Sequence, residues 1–283
     1  MNSYLRIMIE AAHDAGDLLS RYFYRPESLS IYTKSKGDFV SNADLESQKI
    51  IETILKRAYP SIAFLAEEQG EVRPQLTDKQ LQGPLWIVDP LDGTANFLAG
   101  IPHFCVSIAL IQDAKIELAV IYDPIHRQTY TGAYGRGARL DDRRLHDSHL
   151  HQRPGSVLAN DFCLRGFSSP DLLLEKLHEA VNRLRSKYTS ARSFGAAALD
   201  LAYVASGQIT SLLTCGCAIW DLAAGALIVR EAGRIVTDFS GDDDILQTRT
   251  LLASGGNMMP LLMKNLAEIT PILKASIDEE CEK

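Results

Sequence analysis

The chain has 283 residues, of which 46% are hydrophobic and 23% charged, the composition of an ordinary globular protein. This length predicts a single domain over residues 1–283 with two packed lobes, approximately 1–150 and 151–283. The formal net charge of −7 repels phosphate backbones and anionic lipids, so we expect neither nucleic acid nor a membrane as a partner.

Two further features bear on the cellular compartment. The N-terminal segment has an apolar stripe that is interrupted by charged residues such as Arg6, Glu10 and Asp14. It therefore matches neither a signal peptide nor a membrane span, which predicts a cytoplasmic location. The five cysteines are odd in number and include no CxxC pair, which favours buried free thiols over disulfides or zinc ligands.

The N-terminal part of the chain has helical periodicity. Apolar residues at helical spacing predict helices over residues 3–24 and 42–57. Two short apolar runs follow and are predicted to be strands: "SIAFLAEE" (61–68), which ends in two glutamates, and "LWIVD" (85–89), which ends in an aspartate.

The remainder of the chain is richer in strands. Between Pro102 and Leu140, β-branched and aromatic residues separated by turn signals predict a meander of strands. From about residue 155, strand-like runs alternate with helical ones, among them "WDLAAGALIVREAG" with Gly233 as the C-terminal cap. The pattern predicts a layered α/β or α+β domain.

The segment "VDPLDGTANF" places two aspartates three residues apart. Pro90 fixes φ and removes a donor, which predicts that the strand ends there. The Gly-Thr pair can open a helix whose first backbone N–H groups bind phosphate, while Asp89 and Asp92 suit a hard cation such as Mg²⁺. Alternatively the turn is only structural, with Asp89 at the end of a strand and Asp92 as a helix cap.

Four further carboxylates lie at the ends of predicted elements. Glu67 and Glu68 end an apolar run, Asp44 begins the second helix, and Asp221 begins a later one. Each has a plain explanation, since paired glutamates are usually solvated and an aspartate at a helix start is usually a cap. Together with the two aspartates above, they predict a shared cleft where sheets and helices meet.

Taken together, four segments resemble the inositol monophosphatase family. "WIVDPLDGTANF" matches the signature D-P-[LI]-D-G-T-x-N-F. "WDLAAGALIVREAG" matches the second signature, except that Arg234 stands where a final glycine is common. "AEEQG" matches the glutamate motif and "GDFVSNAD" the segment G-D-x-V-[TS]-x-x-D. The motifs occur in the family's order, and the resemblance covers most of the chain.

The resemblance implies a layered αβαβα sugar-phosphatase fold, a homodimer and Mg²⁺-dependent hydrolysis of a phosphate monoester. Inhibition by lithium is common in the family and is also implied. Metal-bound water needs no histidine as a base, and none of the seven histidines lies in the motifs. His103, which follows the first signature, is interpreted as a strand-start residue. His146, His149 and His151 are interpreted as part of a polar loop.

The resemblance also implies a set of metal ligands. Glu67, Asp89 and the backbone carbonyl of Leu91 would hold one Mg²⁺. Asp89, Asp92 and Asp221 would hold a second, and Glu67 would share a third, weakly bound ion. Asp92 and Asp221 would also face the substrate.

The remaining roles that the resemblance implies concern the phosphate and the attacking water. Gly93 and Thr94 would bind the phosphate through backbone N–H groups, and Thr94 with Asp44 would orient the water. Glu68 would position Glu67. Lys34 or Lys36 corresponds to a lysine that the family often places on a loop near the site, although a solvated loop charge is an equal alternative.

Three residues would form the substrate rim. Gly195 and Ala196 open a helix where members of the family contact the substrate through backbone groups; close packing of small residues is the alternative. Thr214 stands seven residues before Asp221, where inositol-preferring members often have a glutamate that accepts hydrogen bonds from ring hydroxyls. A neutral threonine predicts weaker discrimination between polyol phosphates; the alternative is that another residue or a water fills the gap and discrimination is unchanged.

The resemblance therefore predicts an enzyme that hydrolyses inositol 1-phosphate or a related small ester, and Asn96 favours the inositol branch. Histidinol-phosphate phosphatase and fructose-1,6-bisphosphatase activities remain alternatives, because they share the metal-binding residues. A non-catalytic regulatory protein on the same scaffold is a further alternative, although no implied metal ligand is missing.

Overall fold

A computed structural model of the chain describes residues 2–35, 38–69, 83–146, 155–164, 167 and 169–273. Helices α1 (Ser3–Phe23) and α2 (Asn42–Ala58) agree with the predicted segments, and a hairpin of β1 (Ile31–Ser35) and β2 (Asp38–Ser41) connects them. Each helix buries one face, as its periodicity requires. The buried residues of α1 are Met8, Ala11, Ala12, Ala15, Gly16, Leu18 and Leu19.

The first large sheet has seven strands in the order of the chain. Its first two strands are parallel, and the others form an antiparallel meander, which confirms the strand-rich prediction for this part of the chain. The strands are β3 (Ala63–Ala66), β4 (Leu85–Asp92), β5 (Cys105–Gln112), β6 (Lys115–Asp123), β7 (Gln128–Ala133), β8 (Gly137–Leu140) and β9 (Arg143–Leu145).

The second large sheet has five strands in the order β11-β10-β12-β14-β13. Strand β10 runs parallel to both of its neighbours, while β14 is antiparallel to β12 and β13. The strands are β10 (Val157–Phe162), β11 (Ser190–Arg192), β12 (Ser211–Cys215), β13 (Ile235–Thr237) and β14 (Thr250–Ser254).

The remaining helices lie between and outside the two sheets. They are α3 (Thr94–Ala99), α4 (Pro170–Arg185), α5 (Ala197–Ala205), α6 (Ile219–Glu231), α7 (Ile245–Thr248) and α8 (Met259–Leu266). Short 3₁₀ turns follow α1 at Pro26–Ser28 and β3 at Glu67–Gln69. In the part of the chain that the structure describes, no helix has the length and apolar character needed to cross a bilayer.

Three apolar clusters define the layers. One joins α1 and α2 to a face of the seven-stranded sheet, and a second fills the space between the two sheets around α5 and α6. The third covers the outer face of the five-stranded sheet beneath α4 and α8. The resulting order of layers is αβαβα, as predicted. The middle cluster takes residues from both sides of residue 150, for example Ile87 and Leu212.

Candidate active site

The strand that contains both signature aspartates does not end at Pro90. Strand β4 continues to Asp92, so the prediction that proline ends it was wrong. Opposite β5, Asp89 pairs with Ser107 and Asp92 pairs with Cys105, so β4 contains one extra residue between the two pairs. Residues three apart normally point to opposite faces of a sheet, and this bulge brings both carboxylates to the same side.

Three carboxylates converge at this bulge. Oxygen atoms of Asp89, Asp92 and Asp221 lie within 4.8 Å of one another. Burial raises the pKa of Asp89 well above its usual range, and the negative charges of Glu67, Asp221 and Asp92 raise it further. The pKa of Asp221 is raised by the same kinds of cause, with burial first and Asp92 and Glu67 next. Burial also raises the pKa of Asp92 to about 7.

Without a cation, the ionised form of these three carboxylates is unfavourable in free energy, because buried like charges repel one another in a medium of low polarity. Their donors are all oxygens, the ligands that Mg²⁺ and similar hard cations prefer. Glu67 begins the 3₁₀ turn after β3 and lies within electrostatic range of Asp89. Asp89, Asp92 and Asp221 therefore form one group at the end of β4 and the start of α6 that fits a divalent cation, with Glu67 near Asp89.

Asp221 and Asp44 each combine a capping role with a place in the site. Oδ2 of Asp221 accepts a hydrogen bond from the Ala218 backbone N–H at 2.7 Å, at the start of α6. Oδ2 of Asp44 accepts hydrogen bonds from the backbone N–H and the hydroxyl of Ser41, at 2.8 and 2.6 Å. Each cap uses one carboxylate oxygen and fixes the side chain, so capping and a role in the site are compatible.

Thr94 connects this part of the site to α2. Its hydroxyl lies 3.1 Å from Oδ1 of Asp44 and 3.1 Å from the Leu91 carbonyl oxygen, two acceptors for one proton. The structure thus brings together Thr94, Asp44 and the Leu91 carbonyl. Asp44 is fully buried, and burial is the largest cause of its raised pKa.

Asp92 caps α5, which is distant in the chain, and does not cap α3, the helix that follows it. Its Oδ2 atom accepts hydrogen bonds from the backbone N–H groups of Ala198 and Leu199, at 2.9 and 3.3 Å, in the first turn of α5. The alternative in which Asp92 caps the helix that follows it was therefore wrong. That helix begins after Gly93, which has φ of +88° and acts as its N-cap without a side-chain hydrogen bond.

The predicted rim residues Gly195 and Ala196 lie against Gly93. A Cβ atom built on Gly93 would lie 3.0 Å from Cβ of Ala196 and 3.4 Å from the carbonyl oxygen of Gly195. The Asn96 side chain reinforces this contact, since its Nδ2 donates to the carbonyl oxygens of Phe194 at 2.7 Å and Gly195 at 3.3 Å. Both the positive φ and the close approach require glycine at position 93.

His103 has a contact that sequence reasoning missed. Its Nε2 lies 2.9 Å from Oδ1 of Asp200, a fully buried residue of α5 that is 97 residues away in the chain. The interpretation of His103 as a plain strand-start residue was therefore incomplete. An isolated aspartate in the apolar run "AAALDLAYVA" was the available signal for a buried polar partner.

Other predicted residues have less definite surroundings. Thr214 lies on β12 and is completely buried. The backbone N–H of Glu68 donates a 3.0 Å hydrogen bond to Oε1 of Gln48, and its role beside Glu67 stays a prediction. Lys34 lies on β1, whereas Lys36, His149 and His151 are outside the described residues.

The prediction of free thiols is confirmed for the cysteines that the structure describes. Cys105, Cys215 and Cys217 are buried, Cys163 is half-buried, and all four are thiols that form no disulfide. Cys281 lies beyond the described residues.

Comparison with known proteins identifies the family of the chain. The sequence profile of the inositol monophosphatase family matches residues 1–271. Nus factor SuhB of Escherichia coli (strain K12) is 35% identical over 275 residues, which cover 97% of this chain and 100% of that protein. Nus factor SuhB of Pseudomonas aeruginosa is 36% identical over 278 residues, which cover 97% and 100%.

Solved structures show the same fold. The extragenic suppressor protein suhB from Bartonella henselae matches with a TM-score of 0.82 and 35% identity, over 94% of this chain and 98% of that one. The inositol monophosphatase from Anabaena matches with a TM-score of 0.75 and 30% identity, over 94% and 96%. These matches confirm the predicted sugar-phosphatase fold. With its two signatures, its layer order and its profile match, the chain belongs to the inositol monophosphatase family.

Proposed function

We propose that this protein hydrolyses a small phosphate monoester in a Mg²⁺-dependent reaction, with inositol 1-phosphate as the first substrate to test. The observation that supports this most is the group of Asp89, Asp92 and Asp221. The first two lie on the same segment as Thr94, which is hydrogen-bonded to Asp44. A phosphate monoester hydrolyses very slowly unaided, so this activity needs both charge neutralisation and an oriented water.

Bound Mg²⁺ would supply a water of lowered pKa and would neutralise charge on the phosphate oxygens. Glu67, Asp89, Asp92, Asp221 and the Leu91 carbonyl are the groups that would hold it. The carboxylates of Asp89, Asp92 and Asp221 are already close together, so little rearrangement of these three would be needed for binding.

The chain's own groups would place the phosphate and the water. Backbone N–H groups of Gly93 and Thr94, at the start of α3, would bind the phosphate. The Thr94 hydroxyl donates to Asp44 Oδ1 or to the Leu91 carbonyl, so its lone pairs can accept a hydrogen bond from the attacking water. Asp44 is fixed by Ser41 and would keep that hydroxyl in one orientation.

Release of inorganic phosphate from a panel of esters tests the proposal. Protein stripped with EDTA should be inactive, and Mg²⁺ should restore activity. Inositol 1-phosphate, histidinol phosphate and fructose 1,6-bisphosphate, ranked by kcat/KM, separate the proposed activity from its two alternatives. A purified, folded protein that releases no phosphate from any of them with Mg²⁺ would contradict the proposal.

A second candidate function follows from the names of the relatives. Both curated relatives above are Nus factors at 35–36% identity over nearly the whole chain, which favours a regulatory role beside or in place of catalysis. Because the relatives are Nus factors, the expectation that this protein does not bind nucleic acid stays a prediction. An E. coli strain lacking SuhB, supplied with this chain or its Asp92→Asn variant, tests the regulatory role. Rescue by both proteins would assign a role that does not need the metal ligands.

The homodimer remains part of the proposal. Light scattering at several protein concentrations measures it directly, and a mass of about 31 kDa at all of them would contradict it.

A further inference from the structure

The residue directly beside Thr214 in the five-stranded sheet is an aspartate. Strands β10 and β12 are parallel, and their register pairs Asp161 with Thr214. Paired residues of a parallel ladder point to the same face of the sheet. Ala159 and Leu212 are paired on this face and belong to the apolar cluster between the two sheets. Asp161 and Thr214 therefore point toward the layer that contains α5 and α6.

Only one of these two side chains can meet a substrate in this structure. Thr214 is 0% exposed, and its hydroxyl has no hydrogen-bond partner among the described residues. Asp161, nearer the end of its strand, is only half-buried. A substrate hydroxyl that enters from solvent would therefore reach the carboxylate of Asp161 and not the hydroxyl of Thr214.

Asp161 also lies on the side of the sheet that faces the metal ligands. Its negative charge contributes to the raised pKa of Asp92 and to that of Cys217. The preceding residue, Asn160, donates a 3.1 Å hydrogen bond from Nδ2 to the Ser193 hydroxyl, two residues before Gly195. The end of β10 is thus tied to the loop that contacts Gly93.

We propose that Asp161 is a specificity-determining residue of this enzyme, whose carboxylate accepts hydrogen bonds from hydroxyl groups of a polyol phosphate. The inference rests on the proposed function, because it places the phosphate at Gly93 and Thr94. The acidic side chain of the substrate rim is then Asp161 on β10, which lies beside Thr214 on β12. Discrimination between polyol phosphates should consequently be retained, in contrast to the expectation from Thr214 alone.

The chemistry of the contact explains its selectivity. A hydroxyl that donates to a carboxylate makes a charge-assisted hydrogen bond, roughly twice as strong as a neutral one. A substrate without hydroxyl groups would leave the half-buried carboxylate of Asp161 without a hydrogen-bond donor. Sites that hydrogen-bond a substrate hydroxyl reject analogues that lack it, because the polar group of the protein is left unpaired.

The test compares two esters in the full-length protein with saturating Mg²⁺: inositol 1-phosphate, and p-nitrophenyl phosphate, which has no aliphatic hydroxyl. The quantity measured is the ratio of their kcat/KM values. Asp161→Asn should lower this ratio by roughly tenfold, since a charged hydrogen bond is replaced by a neutral one. Asp113→Asn, a matched change in an exposed turn between β5 and β6, should leave the ratio unchanged.

The outcomes separate the two proposals. An equal ratio in wild type and Asp161→Asn would overturn the role of Asp161 while leaving the phosphatase activity intact. A folded wild type that hydrolyses neither ester would overturn the proposed function and this inference with it. If asparagine lowers the midpoint of thermal unfolding, Asp161→Ser, which is smaller and also neutral, gives the same comparison.

Discussion

The hydroxyl of Thr94 lies 3.1 Å from Oδ1 of Asp44, a contact between residues 50 positions apart that joins the first turn of α3 to the first turn of α2. Asp44 is held in turn by two hydrogen bonds from Ser41. The hydroxyl that would orient the attacking water is therefore fixed by a second helix.

Thr94→Val should lower kcat by about a hundredfold or more, because valine keeps the shape of threonine and removes the hydroxyl that orients the water. The measurement is phosphate release at saturating substrate and Mg²⁺. Thr94→Ser keeps the hydroxyl and serves as the matched control, with most of the activity expected. A valine variant within threefold of the wild type would show that this hydroxyl is not needed.

Asp92→Asn should reduce turnover by roughly a thousandfold while the fold remains intact. Asparagine removes a negative charge from the metal site, yet its side-chain oxygen can still accept the hydrogen bonds from Ala198 and Leu199. Asp92→Ala removes both functions and should also cost about 1 kcal/mol of stability through loss of the cap on α5. Kinetics and thermal unfolding of the two variants separate the effects.

Activity close to that of wild type in Asp92→Asn, at any Mg²⁺ concentration, would refute its assignment as a metal ligand. A midpoint of unfolding equal in Asp92→Asn and Asp92→Ala would instead refute the capping role.

Alkylation of the thiols under native conditions should leave most of the Mg²⁺-dependent activity. Cys105 and Cys217 are buried, and burial raises the pKa of both thiols well above the usual range, so little reactive thiolate is present. Activity after treatment with N-ethylmaleimide is the readout, and mass spectrometry after denaturation counts the protected thiols. Loss of activity that follows modification of Cys105 or Cys217 would mean that a thiol takes part in the site.

Much of the candidate site could be predicted because its acidic residues lie at the ends of local elements. Glu67 follows β3, Asp44 and Asp221 start helices, and each position is recognisable from a few neighbouring residues. The helices, the strands and the mixed α/β class could be predicted for a similar reason, since periodicity and turn signals are local properties of the chain. The order of the layers came from the family resemblance.

The features that sequence reasoning missed all depend on contacts between distant residues. The bulge at Pro90 is defined by pairing with β5, and the pairing of Asp161 with Thr214 joins strands that are about 50 residues apart. His103 meets Asp200 across 97 residues. Local patterns do not encode the register of a sheet, so the rim of the site was less predictable than the proposed metal ligands.

Stability of the metal-free protein should fall as the pH rises from 5 to 8. Asp89 and Asp221 have pKa values raised well above the usual range, and that of Asp92 is raised to about 7. Groups of this kind bind protons more tightly in the folded state than in the unfolded chain. Their stabilising contribution is complete below the unfolded pKa, near 4, and is lost as the pH rises through the folded value.

Mg²⁺ should reverse this trend, because it binds the ionised carboxylates and competes with protons for them. The difference in unfolding midpoint between Mg²⁺-saturated and EDTA-treated protein should therefore widen from pH 5 to pH 8. Asp92→Asn has one ionisable ligand fewer and should show a smaller widening, whereas the exposed Asp113→Asn should match the wild type. A difference that stays constant across this pH range would mean that the three carboxylates do not share a cation.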